Sequence, residues 1–482
     1  MTKGPRTITD NLFIGGGGAA YGDAQVMLLD KSNPHGLIAG ATGTGKTVTL
    51  QIMAEWFSTA GVPVFLSDVK GDLSGLAVAG SEGFKLHEAF TNRAKTIGLD
   101  LQYDSFPVTF WFFFGKQGHP IRATVAEMSP LLLSRLLELT DVQEGVLNLA
   151  FRVADEEGLP LLDLRDLQAL LVWVGQHTAD LSLRYGNVAS SSVGAIQRQL
   201  LVLENQGGAA LFGEPALDLS DLMLVTPDRK GEINILAADQ LMGSPRLYAT
   251  FLLWLLSELF EELPEVGNPD KPKLVFFFDE AHLLFDGAPK ALVNKVEQVA
   301  RLIRSKGVGV YFVTQNPADI PDDVLGKLGN RVQHALRAFT AKDRKELNTV
   351  SKTYRDNPDF NTAEAIQEVG TGEAVTSFLD KKVIPQIVQR TLIRPPSSQL
   401  GPIDGPTRKA IMAASDMAGK YDITLDRESA AEMLAKRADV AAKEAEAAEA
   451  AEEAAEEKER AYKKARRYDG GETTSRRSSK GG

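Results

Sequence analysis

Gly40-Ala41-Thr42-Gly43-Thr44-Gly45-Lys46-Thr47 is the stretch whose reading decides the fold. It satisfies G-x-x-x-x-G-K-[ST] at every fixed position. Gly40, Gly43 and Gly45 let the backbone turn with its N–H groups facing inward, which makes a nest for phosphate oxygens; Ala41, Thr42 and Thr44 complete the loop. Lys46 sets a point charge near β- and γ-phosphates, and Thr47 offers a hydroxyl to Mg²⁺. The flanks agree with this. Gly36-Leu37-Ile38-Ala39 reads as a buried strand, and residues 48–57 read as a helix whose N-terminus faces the anion. Strand, glycine loop and helix in that order predict an α/β nucleotide-binding unit.

The 482 residues suffice for a large core and predict one big domain with insertions, or two. Hydrophobic content of 43% and charged content of 24% are those of a soluble globular protein. The absence of cysteine excludes disulfides, a thiolate nucleophile and a Cys-type zinc site, and six scattered His argue against any zinc site. The start, Met1-Thr2-Lys3-Gly4-Pro5-Arg6, lacks the apolar region of a signal peptide, so the expected location is cytoplasmic. The most apolar runs, such as Thr250 to Leu259, are too short to span a bilayer and contain Ser257 and Glu258, so no membrane partner is expected. A net charge of −11 argues against a surface coated in basic residues, but leaves room for DNA in a ring with a positive lining.

Residues 1–30 read as a Gly-rich lead-in or an extra strand, with Gly15 to Gly18 inside. Residues 31–123 form the first part of the core. There Val62 to Asp68 reads as a second buried parallel strand, and Val69 to Leu76 as the loop at its carboxyl end, the edge where open α/β sheets bind ligands. Asp68, Lys70 and Asp72 are either second-tier site residues or a solvated turn with a helix N-cap. The aromatic run Phe110-Trp111-Phe112-Phe113-Phe114 reads as core, being contiguous and not spaced for base stacking. Residues 124–225 turn helical, with Leu131, Leu132, Leu133, Leu136, Leu137 and Leu139 at helical spacing and Asp163 as an N-cap with Asp166 three residues on. This block reads as a helical insertion, a lid or subunit-contact module.

Residues 226–400 return to the core. Gly231 to Ala237 reads as a strand and Pro245 to Glu262 as an apolar helix. Leu274-Val275-Phe276-Phe277-Phe278-Asp279-Glu280 is an apolar strand ending in two acids. Asp279 would hold Mg²⁺ through water, and Glu280 would act as base on the attacking water. Ala288 to Ser305 reads as a helix with Leu292, Val296, Val299 and Ile303 on its apolar face and Arg301 and Arg304 on another. Val308 to Gln315 is a strand ending in an amide that can sense a γ-phosphate or orient water. Arg331 to Ala338 reads as a further strand, and Gly372 to Leu379 with Gln386 to Arg390 as a closing pair. Residues 401–468 read as a linker, Pro402 to Thr424, followed by a charged Ala/Glu-rich helix opened by a Ser429/Glu432 capping box. Its apolar residues after Leu434 are nearly all Ala, so a solvated single helix is expected. Residues 469–482 read as a disordered basic tail that either touches nucleic acid or solubilises.

The phosphate loop, the Phe-rich strand ending in Asp279-Glu280, the run Arg301 to Val310, Thr314-Gln315-Asn316-Pro317 and Asn330-Arg331-Val332 occur in this order. Together they resemble the HerA/FtsK branch of P-loop ATPases, ring-shaped DNA pumps with a RecA-like core. The loop Asp68-Val69-Lys70-Gly71-Asp72, the helix start Met128 to Leu133 and the strand end Phe378-Leu379-Asp380 resemble a bacterial HerA-like subfamily. The resemblance implies a mostly parallel twisted sheet flanked by helices. It implies that ATP is bound by residues 40–47, that Mg²⁺ is served by Thr47 and Asp279, that Glu280 is the catalytic base and that Gln315 is the sensor. It further implies that Arg304, before Arg301, reaches the nucleotide of a neighbouring subunit, and that Arg331 makes a contact in cis. The implied activity is ATP hydrolysis by a homo-oligomeric ring, with a hexamer among the open sizes, acting on DNA as a translocase or helicase, with a nuclease as candidate protein partner. HerA proteins also carry an N-terminal β-barrel, for which the residues ahead of Gly40 are too few. An ATP-gated assembly switch or scaffold that does not move DNA is the alternative function.

Overall fold

Short apolar runs punctuated by glycine turns build a 12-stranded sheet in the computed structural model, which describes residues 11–115, 117–267, 269–285 and 290–468. Its strands are β1 (Asn11–Gly17), β2 (Asp23–Leu28), β3 (Gly36–Ala39), β4 (Val64–Asp68), β5 (Val108–Phe112) and β6 (His119–Pro120), then β7 (Ile233–Ala237), β8 (Leu274–Phe278), β9 (Val308–Thr314), β10 (Asn330–Gln333), β11 (Glu373–Ser377) and β12 (Gln389–Ile393). The spatial order is β2-β1-β12-β11-β10-β3-β9-β8-β4-β7-β5-β6. From β10 to β6 all neighbours are parallel. From β10 outward to β2 they are antiparallel.

The parallel strands are covered on both faces, which is why they read as unbroken apolar runs. Residues of β4, β7 and β8 are all buried. The period of two is visible in β8: Phe277 packs with Trp56, Phe57 and Tyr311 on one side, while Phe276 and Phe278 join Phe251, Trp254 and Phe312 on the other. Helix α1 (Lys46–Thr59) supplies the first face. The second is filled by a central apolar helix and the insertion that packs on it.

Helix α2 (His87–Ile97) precedes β5, and the insertion contributes α3 (Pro130–Leu136), α4 (Asp141–Glu157), α5 (Leu164–Gln176), α6 (Thr178–Tyr185) and α7 (Ser190–Asn205). The Thr140/Gln143 and Asp163/Asp166 capping boxes start α4 and α5. Helix α8 (Pro245–Glu262) is buried almost all round and shares its core with Leu147, Leu171 and Leu200 of the insertion. Then follow α9 (Lys290–Leu302), α10 (Asp322–Leu325), α11 (Ala341–Ser351), α12 (Thr362–Glu368), α13 (Gly405–Ala414) and α14 (Ala430–Tyr468).

Several expectations shift. The first strands are integral to the sheet: Gly15 and Gly16 pair with Ile393 and Leu392, and a Cβ on Gly15 would strike the Leu392 backbone while one on Gly16 would strike that of Tyr21. Strand β10 stops at Gln333, because the next residues turn toward the phosphate loop, where Ala41 N–H bonds Ala335 O at 2.8 Å. The 402–424 transition contains α13, capped by Asp404 on Thr407 N–H with a proline in its first turn. Helix α9 ends at Leu302 and passes into a tight turn, Ile303–Lys306. Helix α14 is anchored at its start, where Ser429 and the Ala431 N–H both donate to the buried Asp166 of α5; beyond Leu434 its described side chains are exposed. Residues 1–10 and the tail 469–482 lie outside the described residues. Among the described residues, no helix is long and apolar enough to cross a membrane.

Candidate active site

Four neighbouring parallel strands, β3, β9, β8 and β4, end side by side, and every short loop that leaves them carries polar groups. Gly40 to Thr47 follows β3, Gln315 follows β9, Asp279 and Glu280 follow β8, and Asp68 closes β4. Residues more than 200 positions apart in the chain therefore share one edge.

The loop after β3 has the backbone that its glycines permit, with φ of 150°, 77° and 116° at Gly40, Gly43 and Gly45. Gly40 has a second constraint, since a Cβ there would lie 2.5 Å from the His334 side chain. Lys46 is buried and donates to Gly40 O at 2.5 Å and Ala41 O at 3.2 Å. Burial lowers its pKa first, and Lys70 adds to this, against the pull of Glu280 and Asp279. Helix α1 starts at Lys46 with no side-chain cap, so its first-turn N–H groups have no such partner and point at the loop. The chemistry fits a bound phosphate chain.

The loop is braced from behind by residues that the sequence did not single out. His334 Nδ1 donates to Glu373 O at 2.9 Å, and its Nε2 accepts from Thr49 Oγ1 at 2.8 Å. Burial drives its pKa down to about 4, so the ring is a neutral spacer. Gly372 N–H donates to Thr44 O at 3.0 Å. The one sequence hint is that His334 falls inside the run Arg331 to Ala338.

At the tip of β8, a chain of hydroxyls fixes the backbone. Asp279 N–H donates to Ser67 Oγ at 3.3 Å, and Tyr248 OH donates to Asp279 O at 2.8 Å. Burial, then the charge of Glu280, pushes the Asp279 carboxyl up to about 7. Glu280 sits in the left-handed region, φ 49° and ψ 48°, a costly place for a residue with a Cβ. Its buried carboxylate receives Gln315 Nε2 at 3.3 Å and faces His282 Nδ1 at 3.4 Å and Lys70 Nζ at 3.9 Å. His282 was not anticipated. Among the described residues no group of three or more His, Cys, Asp or Glu forms a metal cage. Thr47 and Asp279 accordingly suit an ion that keeps water and phosphate oxygens in its shell.

The arginines lie elsewhere. Arg304 is in the turn ahead of β9, at the amino edge of the sheet, opposite its own phosphate loop. That turn is tied down by Asn33 Nδ2 donating to Arg304 O at 2.8 Å, and by His35, whose Nδ1 accepts from Val310 N–H and whose Nε2 donates to Ala300 O. Arg301 is exposed. Arg331 lies on β10. It pairs with Leu37, three residues short of Gly40, and its guanidinium donates to the carbonyls of Leu328 and Leu325, each at 2.8 Å, and to Thr353 Oγ1 at 2.7 Å. Those bonds commit its Nε, Nη1 and Nη2 groups to oxygens of its own chain.

The family model described as helicase HerA-like C-terminal matches residues 18–481. The DNA double-strand break repair helicase HerA of Sulfolobus acidocaldarius is 24% identical over 170 residues, 34% of this chain and 33% of that protein, so the match spans a third of the relative's length. VirB4 of Thermoanaerobacter pseudethanolicus superposes with a TM-score of 0.54 at 14% identity, over 84% of this chain and 100% of that one. The plasmid coupling protein TrwB, in complex with the non-hydrolysable GTP analogue GDPNP, gives 0.51 at 14% identity, over 79% and 89%. These two structures establish the likeness of fold, a RecA-like P-loop architecture. The sequence match covers nearly the whole chain and includes the glycine loop and the acidic strand tip, and on it the chain belongs to the HerA-like helicase C-terminal family.

Proposed function

We propose that the chain is a Mg²⁺-dependent ATPase that works as a homo-oligomeric ring and moves DNA. The observation that carries this reading is the convergence of Lys46, Thr47, Gln315, Asp279 and Glu280 at adjacent strand tips. In this reading the amides of residues 40–47 and the Lys46 ammonium bind the phosphates of ATP. Thr47 and Asp279 would hold Mg²⁺, which would supply positive charge beside the phosphates. Glu280 accepts a proton from the attacking water, and Gln315 holds both the carboxylate and that water in line. Arg304, at the far edge, serves the site of the next subunit, which is the argument for a ring. The insertion, residues 124–225, acts as lid or subunit contact. DNA as substrate, the cytoplasm as location and a nuclease as partner rest on the family membership and on the relative's name as a DNA repair helicase.

The net charge of −11 favours a second reading, an ATP-gated assembly switch that does not translocate. One measurement separates the two. The ring motor requires ATP turnover to rise several-fold on DNA and the rise to fade with salt. The switch requires turnover indifferent to DNA of any length.

A further inference from the structure

Glu280 is contacted from three directions, and one contact comes from the loop after β4. Gln315 and His282 follow the neighbouring strand tip and Glu280 itself, whereas Lys70 reaches the carboxylate from the loop after β4. That loop is organised by one buried side chain. Asp68 Oδ1 accepts the N–H groups of Gly71 at 2.8 Å and Asp72 at 3.1 Å, and Oδ2 accepts that of Leu73 at 3.0 Å. Gly71 closes the turn at φ 74°. Burying a carboxylate is costly, and three amides offset that cost only while the turn keeps this shape. A turn held this way fixes what it projects: Lys70 lies beside Glu280, its Nζ 3.9 Å from Oε1. The loop therefore touches the proposed base. Lys46 is meanwhile engaged inside its own loop, so the two lysines have separate stations.

We infer that Lys70 is a positioning residue that holds the Glu280 carboxylate toward the attacking water, acting through Glu280 and not on the phosphates. The inference rests on the ATPase reading above. It is tested on the full chain with Lys70→Met, Lys70→Arg, Glu280→Gln and the Lys70→Met/Glu280→Gln pair, measuring steady-state ATP turnover and, separately, affinity for a fluorescent ATP analogue. Lys70→Met should lower kcat about tenfold while KM and nucleotide affinity stay within about twofold. Lys70→Arg should restore most of the rate, and Lys70→Met should add nothing on top of Glu280→Gln. Wild-type kcat in Lys70→Met overturns the inference, as does lost nucleotide affinity with kcat intact, or a full tenfold loss on the Glu280→Gln background. Full turnover by Glu280→Gln alone overturns the assignment of the base, and the inference with it.

Discussion

Gln315 and Glu280 leave the tips of neighbouring strands and meet, with the amide Nε2 3.3 Å from a carboxylate oxygen. The amide reaches both carboxylate oxygens, Oε2 at 3.3 Å and Oε1 at 3.5 Å, and so holds the group in one orientation between the strand tips. Glu280→Gln keeps the shape and removes the base, so turnover should fall by about 10² or more while nucleotide affinity is retained. Gln315→Ala should lose less, about tenfold, with little change in KM. Lys46→Ala should differ from both by losing nucleotide binding itself, read by equilibrium titration.

A second prediction concerns stability. Arg394 lies 3.2 Å from Glu55, and both side chains are nearly fully buried. Glu55 also accepts the N–H groups of Ser397 and Ser398 at 2.9 Å, and Arg394 donates to Ile52 O at 3.0 Å. The pair ties α1, the helix behind the phosphate loop, to the segment after β12. Arg394→Met would leave an uncompensated carboxylate inside, a loss of about 3–5 kcal/mol. Urea unfolding should show the midpoint drop with an unchanged slope.

The parts of this arrangement that were legible in the sequence are those encoded locally. Gly40 to Thr47 states its own geometry, and Leu274 to Phe278 can only be a strand buried on both faces. The parts that were not legible depend on distant partners. β1 and β2 read as a glycine-rich lead-in or an extra strand, because Gly15 is required by β12, nearly 380 positions later, where a side chain would strike Leu392. His334 carried no motif, and its role comes from lying between Thr49 and Glu373. Arg331 had the residue type and the place in the motif order for a phosphate contact, and nothing in that pattern announces its bonds to the carbonyls of Leu325 and Leu328.

A third prediction follows from the Asp279 carboxyl, raised by burial and by Glu280 from 3.8 to about 7. The folded state then binds a proton that the unfolded state has released over the window from about pH 4 to 7. Stability contributed by this group is complete below that window and declines as pH rises through it. Asp279→Asn, which cannot ionise, should flatten that decline. The check is the difference between the wild-type and mutant melting temperatures from pH 4 to 8 without Mg²⁺ or nucleotide. A constant difference would rule the shift out.

The last prediction uses the distance between Arg304 and its own phosphate loop. The arginine precedes β9 and the loop follows β3, at opposite edges of one parallel sheet, with Asn33 and His35 holding the arginine's turn in place. A turn so fixed keeps Arg304 at the amino edge, and in the proposed ring the site it would serve is that of the next subunit. Arg304→Ala should therefore cost about 10³ or more in kcat with nucleotide binding preserved, in line with arginines that neutralise a phosphoryl transition state. Lys46→Ala should be equally dead for a different reason. When the two are mixed, an interface between an Arg304→Ala subunit giving its phosphate loop and a Lys46→Ala subunit giving its arginine is whole. Mixing should thus recover a fraction of wild-type turnover that peaks near equal proportions. If every ratio stays at the level of the separate mutants, Arg304 does not act across a subunit boundary, and the argument for a ring loses its structural support.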